Sequence, residues 1–241
     1  MSILGKIIGG TAGLALGGPL GALLGLVAGH AIDTVRDERA GAKPPDKQVA
    51  FTIAVIALGA KLAKADGMVT EDEIRAFRKV FRVPPDEVRN VGRVFNLARR
   101  HTHGYEPYAR QIAGMFHGQP TVLEDLLWCL FTIAQADGEV SGEEIAYLTN
   151  VAVIFGFSDD DFARIRAEFT GPDAADPYQI LGVARDADDK TIKAQHRKLV
   201  RENHPDRMIA QGLPEEFVSV ANEKLAAINA AYDKIRELRG I

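Results

Sequence analysis

The sequence predicts an all-α chain in three parts: a glycine-rich transmembrane helix, a helical middle domain and a C-terminal helical hairpin. Three observations carry this prediction. No charged residue occurs between Ile7 and Gly29. An acidic motif in the middle of the chain occurs twice, each time between apolar helical runs. Near the C-terminus a His-Pro-Asp tripeptide separates a basic helical stretch from a second helical stretch.

As a helix, residues 7–29 would span about 35 Å, enough for a hydrocarbon core of about 30 Å. Gly5, Gly9, Gly13, Gly17, Gly21, Gly25 and Gly29 recur at every fourth position. On a helix they form a stripe without side chains, where another backbone can approach closely. In water each helix-interior glycine would cost about 1 kcal/mol relative to alanine. The stripe therefore points to self-association in lipid, a homodimer joined through Gly9, Gly13, Gly17, Gly21 and Gly25. Two other readings compete. A signal peptide would want a basic start and a small-residue cleavage site, and only Lys6 supplies charge. Gly17-Gly18-Pro19 could break the segment into a re-entrant hairpin, although proline is tolerated in membrane helices. Arg36, Arg39, Lys43 and Lys47 follow the segment, which puts the C-terminal bulk in the cytoplasm and the N-terminal residues outside. The membrane segment is thus residues 1–34, and residues 35–46, with Pro44-Pro45, form a basic linker.

In the middle domain, residues 47–170, Ala65-Asp-Gly-Met-Val-Thr-Glu-Asp-Glu-Ile74 recurs 71 positions later as Ala136-Asp-Gly-Glu-Val-Ser-Gly-Glu-Glu-Ile145. An apolar run precedes each copy, Val49 to Ala65 and Val122 to Ala136, and another helical run follows each. Gly67 and Gly138 suit the left-handed turn that closes a helix. Thr70 with Glu73, and Ser141 with Glu144, are capping boxes opening the next helix, with Val69 and Val140 placed as hydrophobic staples. Residues 85–100, Tyr105 to Phe116 and Ser158 to Phe169 read as further helices, making about seven in all. The spacing also resembles the back half of an EF-hand loop, but Leu62 and Lys64 stand where that loop needs oxygen ligands. The duplicated motif resembles the TerB-like, tellurite-resistance helical domain, in which paired acidic motifs are associated with metal. That resemblance implies Asp66, Glu73, Asp137 and Glu144 as candidate ligands of a divalent metal. Helix closing and opening account for the same residues without one. His101, His103 and His117 read as loop residues, since no partner stands at zinc-site spacing.

Composition narrows the function. The net charge of −4 gives no electrostatic case for a nucleic-acid partner. The single cysteine, Cys129, excludes an internal disulfide and a Cys-based zinc site. It lies in Leu126-Leu-Trp-Cys-Leu-Phe131, as a buried, inert thiol would, and fits a reducing compartment.

After a linker at residues 171–175, residues 176–241 form the C-terminal module. Asp176-Pro-Tyr-Gln-Ile-Leu-Gly182 reads as a short helix stopped by glycine. The helical stretch Asp189 to Arg201 carries Lys193, Arg197 and Arg201 at i, i+4 and i+8 on one face. Its other side carries Ile192, Leu199 and Val200, to pack on Leu225, Ile228, Tyr232 and Ile235 of the stretch Pro214 to Leu238. Pro205 cannot continue the preceding helix and pushes His204 out of the helical region. No serine or cysteine stands placed to make a catalytic triad with His204 and Asp206.

With its flanks Asp176 to Val183, Ile192 to Leu199 and Ile228-Asn-Ala-Ala-Tyr232, the tripeptide resembles a J-domain, the Hsp70 co-chaperone module. The resemblance implies that His204, Pro205, Asp206, Lys193, Arg197, Lys198 and Arg201 dock on Hsp70 (DnaK) and stimulate its ATP hydrolysis. It also implies that Asp206 meets an Hsp70 arginine, with no cofactor required. The sequence departs from the usual pattern at His196, where tyrosine is common, and at Arg207, where lysine is. Met208 to Glu216 lengthens the connection, and no fourth helix follows Arg239. The Gly/Phe-rich and Cys-x-x-Cys regions of a full DnaJ are absent. Together with the glycine-striped segment and the TerB-like middle, this truncated J-domain resembles the DjlA class of co-chaperones. That resemblance implies a bacterial inner-membrane protein recruiting DnaK to clients, with an envelope-stress or metal-binding module as the alternative.

Overall fold

The computed structural model describes residues 18–27, 47–63, 104–138, 140–169, 176–211 and 217–240, together with residues 92, 95, 96 and 98. Gly9, Gly13 and Gly17, the first acidic motif with Asp66 and Glu73, both linkers and the Asp137 side chain lie outside the described residues. So do His101 and His103, and most of the helix expected at residues 85–100. Among the described residues the secondary structure is helical, without strands. The helices are α1 (Gly18–Val27), α2 (Lys47–Leu62), α3 (Glu106–Met115), α4 (Pro120–Ala134), α5 (Gly142–Phe155), α6 (Asp159–Ala167), α7 (Pro177–Leu181), α8 (Asp189–Glu202), α9 (Pro205–Ala210) and α10 (Val218–Arg239).

The middle domain is built around α2. Every residue from Phe51 to Ala63 is buried, the pattern of a helix enclosed on all sides. Helices α3, α4 and α5 pack against it. Helix α4 turns Leu126, Leu127, Leu130, Phe131 and Ile133 into the same core. Aromatic contacts close the far side, with Phe131 stacked on Phe169 at 5.0 Å and Trp128 against the same ring at 4.8 Å. Cys129 is buried there, and burial raises its thiol pKa well above the usual range, so it is inert.

The second acidic motif folds as its sequence dictates. Helix α4 runs into a 3₁₀ turn, Gln135–Asp137, and Gly138 takes a φ of +112°. Ser141 then opens α5: its hydroxyl accepts from the Glu144 N–H at 3.2 Å, and Glu144 Oε2 accepts from the Ser141 N–H at 2.8 Å. Ser158 and Asp161 repeat the device at α6. His117 lies in the turn after α3, as expected of a loop residue.

No helix among the described residues is long and apolar enough to cross a membrane. The expected span over residues 7–29 falls largely on residues outside those described. Helix α1 begins at Gly18, with a φ of +56° and Pro19 in its first turn. Leu20 is buried, and its N–H donates to Gln111 Oε1 at 3.0 Å, seating α1 on α3.

The C-terminal module has its own small core of Tyr178, Ile180, Leu181, Ile192, Leu199, Ile228, Ala231 and Ile235. It differs from the expected packing in two ways. Leu225 and Tyr232 are only half-buried, whereas Lys224, one position before Leu225, is 1 % exposed. The module also does not stand apart. Ala167 of α6 enters its core, while Met208, Phe217, Val220 and Ala221 enter the core of the middle domain.

Candidate functional site: an exposed motif on a docked module

Helix α8 is set by Asp188, whose carboxylate accepts from the Thr191 N–H at 2.7 Å. Ile192 and Leu199 face inward, and Lys193, Arg197, Lys198 and Arg201 are all exposed. None of these four cations has an ion-pair partner among the described residues, so their charge is directed to solvent. Helix α8 ends at Asn203, which is buried and donates to the Leu199 carbonyl at 2.8 Å. His204 has extended backbone (φ −69°, ψ 133°), and Pro205 opens α9 as its first residue. The tripeptide that separates the two long helical stretches is therefore itself the entry to a short helix. His204 Nδ1 accepts from the Asp206 N–H at 3.2 Å. The side chains of His204 and Asp206 are 53 % and 88 % exposed, leaving both accessible to a partner.

The departures from the usual pattern are accommodated within the module. His196 stacks on Tyr232 at 3.9 Å with nearly parallel rings and shares a hydrogen bond of 2.9 Å with Asn229. It thus packs α8 on α10 as an aromatic residue would. Arg239, at the end of α10, reaches the Tyr178 hydroxyl at 3.0 Å, the Ala187 carbonyl at 2.6 Å and Asp189 at 3.2 Å, and also the Arg185 carbonyl. These bonds fasten the open end of the module, where no further helix follows in the described residues.

A second charged cluster lies nearer the start of α10, around Lys224. Lys224 donates to Glu124 Oε1 at 2.6 Å and to Asp125 Oδ1 at 3.2 Å, both on α4 of the middle domain. Arg164 of α6 pairs with Glu124 at 2.6 Å and Glu168 at 3.4 Å, and the Trp128 indole N–H donates to Glu168 at 2.9 Å. Three carboxylates thus share two cations out of water. Burial would raise the Glu124 pKa, but Lys224 and Arg164 outweigh it and hold the group at about 2. Asp125 is pushed up by burial, only partly offset by Lys224, to about 6. Glu168 is pushed up by burial to about 7 against the same two cations. Burial alone would lower the Lys224 pKa, yet the surrounding carboxylates raise it, so its ammonium stays charged.

Of the implied metal ligands, only Glu144 has a described side chain. It is buried and committed to its capping box. Among the described residues no group of three or more His, Cys, Asp or Glu could hold a metal ion. The geometry of Glu144 is that of a helix cap.

Comparison with known proteins covers the whole chain. Residues 176–237 match the DnaJ domain, residues 52–167 match tellurite resistance protein TerB, and residues 1–43 match the co-chaperone DjlA transmembrane domain. Co-chaperone protein DjlA of Coxiella burnetii is 30% identical over 269 residues, covering 100% of both chains. The chain belongs to the DjlA co-chaperone family. DjlA of Aliivibrio fischeri is 31% identical, again over 100% of both chains, and DjlA of Escherichia coli K12 is 29% identical over 100% of this chain and 99% of the relative. No solved structure matches.

The expected plan of the DjlA family holds: an all-helical chain with a transmembrane domain, a TerB domain and a J-domain, and with co-chaperones rather than a catalytic family as relatives. Sequence reasoning missed the buried cluster joining the last two. A signal was present, because Lys224 is in helical phase with the buried Ile228, Ala231 and Ile235. Glu124 and Asp125 likewise interrupt the otherwise apolar run of α4.

Proposed function

We propose that this chain binds DnaK through its J-domain, stimulates ATP hydrolysis by that partner and recruits it to clients at the inner membrane. It does no covalent chemistry itself and needs no cofactor. The observation behind this reading is the exposure of His204 and Asp206 at the end of a helix whose Lys193, Arg197, Lys198 and Arg201 all face solvent. Such a surface suits an acidic partner, with Asp206 free to meet an arginine. Charges of this kind steer encounter and set register, so the complex should form and dissociate readily. The anchor is a single pass with the short N-terminus outside, supported by Arg36, Arg39, Lys43 and Lys47 after it. Its glycine stripe joins two copies.

His204→Gln tests the central claim. Helical circular dichroism should be unchanged while stimulation of DnaK ATPase is lost; full stimulation would refute the reading. Labelling of single cysteines placed before Ile7 and after Lys47 tests the orientation.

A further inference from the structure

The buried cluster between the J-domain and the middle domain is centred on Lys224 of α10, the helix that follows α9 among the described residues. Helix α9 begins with Pro205 and Asp206 and carries Met208 one turn after His204. Met208 is 3 % exposed and belongs to the core of the middle domain, not to the core of its own module. Gln211, at the other end of α9, is hydrogen-bonded across the same boundary by Thr121 of α4 at 3.4 Å. Beyond the chain segment that follows, Phe217 stands edge-on to Phe51 of α2 at 4.8 Å, and Lys224 inserts between Glu124 and Asp125. On the first helix of the module, Gly182 comes so close to the Arg164 side chain that an added Cβ would lie 3.1 Å from it. Contacts with the middle domain thus come from the end of α7, from α9 and from α10.

In this docked arrangement His204, Asp206 and the cations of α8 remain exposed, so the middle domain does not mask them. A masking role is therefore excluded by the geometry, and a supporting one fits it. We propose that the middle domain acts as a rigid mount for the J-domain, with Met208, Phe217 and Lys224 as positioning residues that hold the His-Pro-Asp helix in its docking pose. This inference rests on the Hsp70 reading of the exposed face. It assigns the middle domain a part in presenting the motif, and it makes the ionic cluster a fastener whose loosening frees α9. The pairing is specific in shape: a long cation from one domain satisfies two carboxylates adjacent in the other, which an apolar contact alone would not fix in register.

The test uses the full chain in detergent with DnaK. Two variants loosen the mount without touching the docking face: Lys224→Met combined with Glu124→Gln, which removes one cation and one anion together, and Met208→Ala. Lys224→Arg is the conservative control. Amide hydrogen exchange of the peptide 204–211 and the concentration dependence of ATPase stimulation are read together. The loosened variants should exchange that peptide at least tenfold faster. They should need about five- to tenfold more protein for half-maximal stimulation while reaching nearly the same maximum, and Lys224→Arg should behave as wild type. Unchanged exchange in both variants would overturn the mount, and faster exchange with unchanged half-maximal concentration would overturn its role in positioning. Loss of helical content in one variant leaves the other to decide. Failure of the wild-type chain to stimulate DnaK would instead refute the Hsp70 reading, while the exchange data would still judge the mount.

Discussion

Two faces of the J-domain carry charge, and they use it in opposite ways. On α8, Lys193, Arg197, Lys198 and Arg201 are exposed and without ion-pair partners among the described residues. On α10, Lys224 is 1 % exposed and held by two carboxylates of another domain. Side-chain cations thus give a solvent-facing surface in one place and a fixed joint in the other. The difference is solvent. In water a charge is screened and free to choose a partner, whereas a buried charge must keep the partner it folded with.

The largest effect that would sharpen this contrast is on stability. Lys224→Ala should cost about 3–5 kcal/mol in urea denaturation of the full chain, because Glu124 and Asp125 stay buried without their cation. Lys193→Ala should leave the urea midpoint nearly unchanged. Equal effects at the two positions would break the contrast.

The next effect is with pH. Asp125 and Glu168 have pKa values raised in the folded protein to about 6 and about 7, so folding favours their protonated forms. Their contribution is complete below the unfolded carboxylate range and is lost as pH rises through those two values. The lowered Glu124 acts the other way, but only below its unfolded pKa, where stability falls as pH drops toward about 2. The joint should therefore be firmer at pH 5.5 than at pH 8, by on the order of 2 kcal/mol. The protection factor of the 204–211 peptide, corrected for the intrinsic rise of amide exchange with pH, should fall over the same window; a urea midpoint that rises from pH 5.5 to 8 would contradict it.

Salt should separate the faces in the opposite sense. Raising sodium chloride from 50 to 500 mM should weaken DnaK stimulation on the order of tenfold, since the α8 cations are screened. The buried joint should be almost indifferent, and its exchange rates should not change. The smallest effect concerns a helix end far from both faces. Ser141→Ala removes half of the capping box of α5 and should lower stability by about 1 kcal/mol without altering stimulation.

What the sequence made legible was what is local. The Ser141-Glu144 box, the turn at Gly138, the stop at Gly182 and the exposed cations of α8 each depend on neighbours within a few positions, and each folds as its residues dictate. The exposed His-Pro-Asp tripeptide was legible for the same reason, although its proline opens a helix. The joint between domains was not, because Lys224 meets Glu124 across 100 positions of chain. A lysine in a charged helix reads as solvated, and only its phase with Ile228 and Ile235 marks it as inward. Met208 was hidden by its place in what looked like a lengthened connection. The acidic motif carried two readings, ligand and cap, and the described part of it, Glu144, is bonded to the backbone of its own helix.

Trp128 is the single tryptophan of the chain, and its indole N–H is bonded to Glu168, the carboxylate with the highest raised value in the joint. The protein therefore carries its own optical gauge. Light emitted by that ring should respond to the charge on Glu168 and to any water let in when the domains part. The joint can be watched in the native chain, without labels.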